Sequence, residues 1–156
     1  MTFNTDHQII ARYNKKYKKI YRLNIPIKVK ISSNDYKNAF NIDYKYIPFQ
    51  KGIGIDLYDL EENEITNKRI DLLKNNEFIV YTWFRIDSSF TIQKKFQNQI
   101  RKAVIENKDT LHIGTVSEFK AKHPILFEKL TKNDSISVRL LEDGKLGKRI
   151  TVPVKW

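Results

Sequence analysis

Short segments rich in β-branched and aromatic residues constrain the fold of this chain most strongly. Each shows partial alternation of apolar and polar positions, as expected of a strand with one buried face. Turn-forming residues separate the segments, in the stretches SSND, QKG and KNNE. The predicted strands are IPIKVKIS (25–32), IDYKYIPF (42–49), IGIDLYDL (53–60) and FIVYTWFRI (78–86). The stretch ITNKRIDLL (65–73) fits a further strand of a β-meander or a short helix, and we favour the strand.

Two other segments carry apolar residues at three- and four-residue steps, which predicts amphipathic helices. The first covers about residues 6–22, where Thr5 and Gln8 have the spacing of a capping box. When the segment is wound at about 100° per residue, its apolar and basic side chains fall on separate faces. The second helix covers about residues 90–107 and follows the capping hydroxyls of the stretch SSFT. Its face opposite the apolar one is also basic.

The remaining segments complete a mixed fold. A strand TLHIG (110–114) precedes a short helix from Ser117, a break at His123 and Pro124, and a second helical piece through Leu130. The chain ends in a predicted β-hairpin, in which SISVRLL and KRITVPVKW are joined by EDGKLG. Helices and strands without regular βαβ alternation predict a single α+β domain over residues 1–156, with a mainly antiparallel sheet.

Bulk composition excludes several classes of protein. With 156 residues, 40% of them hydrophobic and 30% charged, the chain can build one core and is neither disordered nor membranous. No apolar run approaches the roughly 20 residues needed to cross a bilayer. The stretch MTFNTDHQ lacks the features of a secretory signal, so the sequence predicts a cytoplasmic protein. Because there is no cysteine, disulfides and thiolate metal sites are excluded.

The net charge of +11 favours a polyanionic partner, because a field of this size attracts polyanions and speeds encounter with them. Lysine outnumbers arginine 22 to 7, a bias that AT-rich coding also produces. The distribution of charge is therefore more informative than the total. Residues 1–51 and 79–156 are strongly basic, whereas residues 52–78 carry more acidic than basic side chains.

The two basic helix faces are the leading candidate site, because lysine and arginine neutralise phosphates and release counterions. Two such faces are unusual on a surface built only for solubility, which mixes both signs of charge. We therefore predict a non-enzymatic protein that binds DNA or RNA, or a nucleoprotein, with weak sequence specificity. Tyr13, Tyr17 and Tyr21 are interpreted as core anchors rather than as stacking platforms. The predicted contact residues are Arg12, Lys15, Lys16, Lys19 and Arg22 in the first helix and Lys94, Lys95, Arg101 and Lys102 in the second.

An acidic block in the middle of the chain supports the principal alternative. Its members are Asp56, Asp59, Glu61, Glu62 and Glu64. Such a surface can dock on the positive groove of a nucleic-acid-binding protein complex. The alternative is therefore a protein-binding inhibitor of a nucleic-acid-processing enzyme, such as the anti-CRISPR proteins that phages and plasmids encode. The block lacks the glycine and the ligand spacing of a calcium loop, so no metal is assigned to it.

A small nuclease is the third possibility. The stretch EFK (118–120), with Asp109 upstream, matches half of a metal-dependent nuclease site, but its periodicity places it on a helix where that site uses a strand. A metal-independent nuclease would use His7, His112 or His123 as general acid and base. Glycine-rich nucleotide loops, a Gly-x-Ser-x-Gly elbow and a His-Glu-x-x-His motif are absent from the sequence, so no cofactor is expected.

Overall fold

The computed structural model describes residues 2–3, 7–31, 40–45, 55–66, 69–70, 76–86, 90–142 and 145–156. The chain is mixed α+β, as the sequence predicts. The strands are β1 (Thr2–Phe3), β2 (Gln8–Asn14), β3 (Lys19–Lys30), β4 (Phe40–Lys45), β5 (Ile55–Tyr58), β6 (Arg69–Ile70), β7 (Glu77–Arg85), β8 (Thr110–Thr115), β9 (Ser135–Glu142) and β10 (Lys145–Pro153). The helices are α1 (Phe90–Lys95), α2 (Gln97–Ile105), α3 (Val116–Lys122) and α4 (Pro124–Thr131).

The strands form two mainly antiparallel sheets. The first has the order β5-β7-β3-β2-β8, with β1 also paired to β3, and the second has the order β10-β9-β4-β6. The second sheet contains the predicted C-terminal hairpin, in which Val138 lies opposite Ile150. The predicted meander order is wrong for β5 to β7, because β5 pairs with β7 whereas β6 pairs with β4 in the other sheet. Strand order follows from the faces that are buried together, and local sequence does not encode it.

Internal contacts divide the chain into two compact units. Unit 1 comprises residues 1–5, 27–82 and 131–156, and unit 2 comprises residues 6–26 and 83–130. In unit 1, Phe78, Ile79 and Val80 follow one another and are all buried, so β7 is covered there on both faces. In unit 2, the burial along β2 alternates, so that strand turns only one face to the core.

The predicted helix over residues 6–22 is wrong. This segment forms the hairpin of β2 and β3, with a turn at residues 15–18. The Asn14 Oδ1 atom accepts a hydrogen bond from the Tyr17 backbone N–H at 3.0 Å, and Lys18 adopts φ 51, so the polar stretch closes as a tight turn. Pairing of β2 with both β3 and β8 satisfies its backbone, and such tertiary pairing overrides helical periodicity.

A β-bulge explains why the hairpin sequence has helix-like spacing. Arg12 lies opposite Arg22, but the next pair is Tyr13 with Ile20, so Tyr21 is an extra residue on β3. Ile20 and Leu23 are consequently both buried although they are three positions apart. A spacing of three is typical of one helix face, and here it arises from a bulged strand.

Most other predicted elements are confirmed. The predicted strands 25–32 and 78–86 overlap most of β3 and β7. The predicted strand 42–49 overlaps β4, the predicted strand 53–60 contains β5, and both extend outside the described residues. The favoured strand over 65–73 is described as a strand only at Arg69–Ile70. The second helix is present as α1 and α2, and the strand TLHIG is β8. No helix in the described parts of the chain is long and apolar enough to span a membrane.

An aromatic cluster organises the helical part of unit 2. The ring of Phe119 stacks on Phe96 with centroids 6.1 Å apart and meets Phe127 edge-on at 6.2 Å. The His123 ring contacts Phe96 at 5.4 Å and Phe119 at 5.2 Å. His123 also ends α3, and its carbonyl accepts the Phe127 N–H at 2.9 Å in α4. The predicted break at His123 and Pro124 is therefore a corner packed by aromatic rings.

Stability is expected to fall in acid because of His123. Burial among the rings lowers the pKa of His123, and the positive charges of Lys95 and Lys122 lower it further. The unfolded chain therefore binds a proton on this residue more readily than the folded chain does, so stability present above the ordinary histidine pKa is lost as the pH falls through it. Urea unfolding at about pH 8 and about pH 5 should show a smaller difference for His123→Gln than for the wild type. An unchanged difference would contradict this role of His123.

Candidate nucleic-acid interface

Arginines on adjacent strands form a row across the first sheet. On β2, Ala11 and Tyr13 face the core, so Arg12 lies on the opposite, outer face. Arg12 is directly opposite Arg22 on β3. On the other side of β3, the Ile86 N–H donates to the Tyr21 carbonyl at 3.0 Å, a register that sets Arg85 of β7 beside Arg22. We call Arg12, Arg22 and Arg85 the arginine row.

The arginine row lacks charge compensation. Among the described residues, no carboxylate lies within 4.0 Å of any of its three guanidinium groups. Like charges that face each other across strands are destabilising. The Nε atoms of Arg12 and Arg22 are buried, and no described residue forms a hydrogen bond with either of them. A buried donor without an acceptor costs about 1–3 kcal/mol.

Aromatic side chains orient the central arginine. The Cζ atom of Arg22 lies 4.1 Å from the ring centroid of Trp83 and 6.0 Å from that of Tyr21. This cation–π contact with Trp83 restrains the Arg22 guanidinium group. The sequence interpretation missed Trp83 and Arg85. The pattern that could have identified them is the alternation of buried and exposed positions along β7. Thr82 and Phe84 are buried, whereas Trp83 and Arg85 are more exposed.

The turn of the hairpin is fastened to the end of α2. Asn107 adopts φ 53 and closes the helix, with its N–H bonded to the Val104 carbonyl at 3.2 Å and the Lys108 N–H bonded to the Ala103 carbonyl at 2.8 Å. The Lys15 ammonium donates to the Asn107 carbonyl at 2.8 Å and to its Oδ1 at 2.9 Å. A cation at a helix C-terminus is favourable. Lys15, a predicted contact residue, therefore has a structural role in positioning the turn.

Gln93 fixes the other end of the bulge. Its Oε1 accepts the Ile20 N–H at 2.9 Å, and its Nε2 donates to the Ile20 carbonyl at 2.9 Å. These bonds satisfy the backbone of β3 beyond the last residue of β7. Helix α1 is thereby attached directly beside Tyr21 and Arg22. No local sequence pattern predicts the contact between Gln93 and Ile20, because these residues are 73 positions apart.

The three predicted core tyrosines have different environments. Tyr13 is 3% exposed and is a core residue, as predicted. Tyr17 in the turn is 64% exposed and Tyr21 on the bulge is 46% exposed, so the prediction is wrong for both. The Lys16 ammonium lies 5.5 Å from the centroid of the Tyr17 ring. Lys16 and Lys19 are both exposed, and Lys19 pairs with Asn14 at the end of the hairpin.

The predicted cations of the second helix are carried by helices, whereas the arginine row is carried by strands. Lys94, Lys95, Arg101 and Lys102 are exposed on α1 and α2. Ile92 of α1, Ala103 of α2 and Phe96 between the two helices are buried. Lys102 lies 3.9 Å from Glu106, which also pairs with Lys108 at 2.7 Å. Among the described residues, Lys102 is thus the one member of this set that approaches an acidic side chain, that of Glu106.

A second arginine pair occurs in unit 1. Arg139 on β9 lies opposite Arg149 on β10, and its Nε is buried without a hydrogen-bond partner. On its other side, Arg139 is in register with Asn41 of β4. This pair reproduces the cross-strand arrangement of Arg12 and Arg22 in a different sheet. Substitution of Arg139 and Arg149 therefore provides a control for substitution of Arg12 and Arg22.

The acidic block forms a tight loop after β5 in unit 1. The Asp59 carboxylate accepts hydrogen bonds from the Glu61 N–H at 2.9 Å, the Asn63 N–H at 2.8 Å and the Asn63 amide at 2.9 Å. These bonds, with that of the Asn63 side chain foremost, lower the pKa of Asp59. Glu61, Glu62 and Glu64 are exposed, whereas Asp56 and Asp59 are half-buried. Among the described residues, no three histidine, aspartate or glutamate side chains are grouped to hold a metal ion.

Glu118, the glutamate of the EFK stretch, is a helix cap. Its carboxylate accepts the Thr115 N–H at 2.8 Å, and the Thr115 hydroxyl accepts the Glu118 N–H at 3.2 Å, which makes a capping box for α3. The Thr115 backbone bond lowers the pKa of Glu118. Gly114 has φ 103, and a Cβ there would lie 2.8 Å from the carboxylate. The segment is helical, as predicted, and its glutamate is engaged in capping.

The outer face of β2, β3 and β7 thus presents guanidinium donors beside aromatic rings. Guanidinium groups bind phosphate through parallel hydrogen bonds, and exposed rings offer flat apolar surfaces. No protein-family model matches the chain, and searches of curated proteins and of solved structures give no significant match.

Proposed function

We propose that the protein binds nucleic acid, without catalysing a reaction on it, through the outer face of β2, β3 and β7. The observation that carries this proposal is the pair of Arg12 and Arg22, which stand side by side with no carboxylate within 4.0 Å among the described residues. A phosphate group supplies the missing negative charge. Bound phosphates would also remove the repulsion between the two guanidinium groups.

The surroundings of the arginine row support a backbone ligand. Arg85 extends the row, and the exposed Lys16 and Lys19 add positive charge at the hairpin. Adjacent strands are about 4.8 Å apart, so the three guanidinium groups form a track rather than one anion pocket. Contacts to phosphate carry no sequence information, so binding is weakly sequence-specific. The helix cations Lys94, Lys95, Arg101 and Lys102 are a secondary contact in this proposal.

The binding should depend steeply on salt. With Arg12, Arg22, Arg85, Lys16 and Lys19 on phosphates, the logarithm of the association constant should fall linearly with the logarithm of salt concentration, with a slope of about −3 to −4 for single strands. Fluorescence anisotropy with labelled single-stranded DNA, duplex DNA and RNA, from low to physiological salt, measures this slope. Absence of binding even at low salt would contradict the proposal.

A second candidate function is docking on a nucleic-acid-binding protein. Asp59 accepts hydrogen bonds from the backbone of the short loop that carries the exposed Glu61, Glu62 and Glu64. A rigid acidic loop can compete for a groove that otherwise binds phosphates. The anisotropy assay distinguishes the two candidates, because a protein that acts by this loop leaves bare nucleic acid unbound at physiological salt.

A further inference from the structure

We infer that the nucleic acid is bound as a single strand, with unpaired bases stacked on Tyr17 and Tyr21. This inference rests on the proposed function and names the class of ligand. The arginine row accounts for phosphate contacts, but it leaves the exposure of two tyrosines unexplained. Both lie on the hairpin that carries Arg12 and Arg22, and both are among the most exposed large apolar side chains of the described residues.

The bulge places Tyr21 beside the arginine row. In a regular strand, successive side chains point to opposite faces, so Tyr21 and Arg22 would lie on opposite sides of the sheet. As the extra residue of the bulge, Tyr21 instead stays 46% exposed, with its ring centroid 6.0 Å from the Arg22 guanidinium carbon. Gln93 bonds both backbone groups of Ile20, so the bulge is held in place. Bulges often redirect a side chain in this way at functional sites.

The turn presents Tyr17 on a fixed support. Its backbone N–H is bonded to the Asn14 side chain at 3.0 Å, and the neighbouring Lys15 is anchored to Asn107. The Lys16 ammonium is 5.5 Å from the ring centroid, so a cation accompanies this ring as well. Each exposed tyrosine is therefore paired with a positive side chain. A fixed ring and cation lose little conformational freedom when a nucleotide binds.

Exposed rings next to phosphate-binding cations fit a single strand better than a duplex. In a duplex the base faces are covered by their stacked neighbours, and side chains reach only base edges and the backbone. In a single strand the base faces are free, and each one stacked on an aromatic side chain contributes substantially to affinity. Sequence-tolerant stacking is consistent with weak sequence specificity.

The test compares Y17A/Y21A with Y17F/Y21F, because phenylalanine keeps the ring and loses only the hydroxyl. The probes are a labelled single-stranded oligonucleotide, an abasic strand of the same length and charge, and a duplex. We expect Y17A/Y21A to bind the single strand about 30-fold or more weakly than the wild type, and Y17F/Y21F to stay within about twofold of it. Binding of the abasic strand and of the duplex should be the same for all three proteins.

The outcomes separate this inference from the proposed function. If Y17A/Y21A binds the single strand as tightly as the wild type, or if the wild type binds the abasic strand equally well, the stacking inference is overturned and phosphate binding stands. If no probe binds at low salt, both the stacking inference and the proposed nucleic-acid binding are refuted. Both tyrosines are exposed, so the variants should fold, and thermal unfolding followed by circular dichroism checks this point.

Discussion

The variant R12Q/R22Q is expected to bind single-stranded nucleic acid at least about 100-fold more weakly than the wild type, because each hydrogen bond between a charged group and phosphate contributes about 1.5–3 kcal/mol. Glutamine keeps a polar, though shorter, side chain and removes the charge. The salt slope should also become shallower by about 1.4, since each phosphate contact on a single strand contributes about 0.7. Fluorescence anisotropy over a salt series measures both quantities.

Two control variants remove the same charge elsewhere. K94Q/K95Q acts on exposed residues of α1, and R139Q/R149Q breaks the corresponding cross-strand pair of unit 1. Both should weaken binding far less than R12Q/R22Q. Equal losses in all three variants would show that net charge governs binding and would refute the assignment to the arginine row. R12Q/R22Q loses the contact with Trp83 and also a like-charge pair, so thermal unfolding of all three variants completes the comparison.

The second large effect is expected at the aromatic cluster of unit 2. Phe119→Ala should lower the free energy of unfolding by about 3–5 kcal/mol, because it leaves a cavity at a core position and removes ring contacts. Phe119 is 1% exposed, and its ring meets Phe96, His123 and Phe127. The cluster joins the junction between α1 and α2, where Phe96 lies, to α3 and α4, so its loss affects the helices together. Urea unfolding followed by circular dichroism measures the change.

Ile105→Ala is the matched control for Phe119→Ala. Ile105 is 84% exposed at the end of α2, so its truncation should change stability by no more than about 0.5 kcal/mol. If Phe119→Ala were destabilised as little as this control, the cluster would not be a core element. A loss of nucleic-acid binding in Phe119→Ala at a temperature where it remains folded would point to coupling between the helices and the hairpin.

The sequence predicts helices well where their signals are local. Helix α3 begins after Thr115 with Glu118 three residues later, and the break before α4 contains Pro124. Both signals act over a short range of sequence, because a capping side chain or a proline affects only the neighbouring backbone. The same reasoning fails over residues 6–22, where the chosen cap, Thr5, lies outside the described residues and the apolar spacing fits a bulged hairpin equally well.

The candidate site was predicted in part. Arg12 and Arg22 are recognised in the sequence as cations, but on a helix they would be neighbours of Lys15, Lys16 and Lys19 on one face. In the hairpin they become partners of each other and of Arg85, which is far along the chain. Lys15 is hydrogen-bonded to Asn107 at the end of α2, and the side chains of Tyr17 and Tyr21 are exposed to solvent. Each of these changes follows from strand register and the bulge.

By itself, the sequence determined the α+β class, the C-terminal hairpin, the helical region from α1 to α4 and the positive charge. Those properties depend on composition and on interactions between residues close in the chain. Only the tertiary structure decided that residues 8–14 and 19–22 are strands and that Arg12, Arg22 and Arg85 form a row. The reason is that side-chain neighbours in a sheet are chosen by long-range backbone hydrogen bonds, and a shift or bulge of one residue reassigns them.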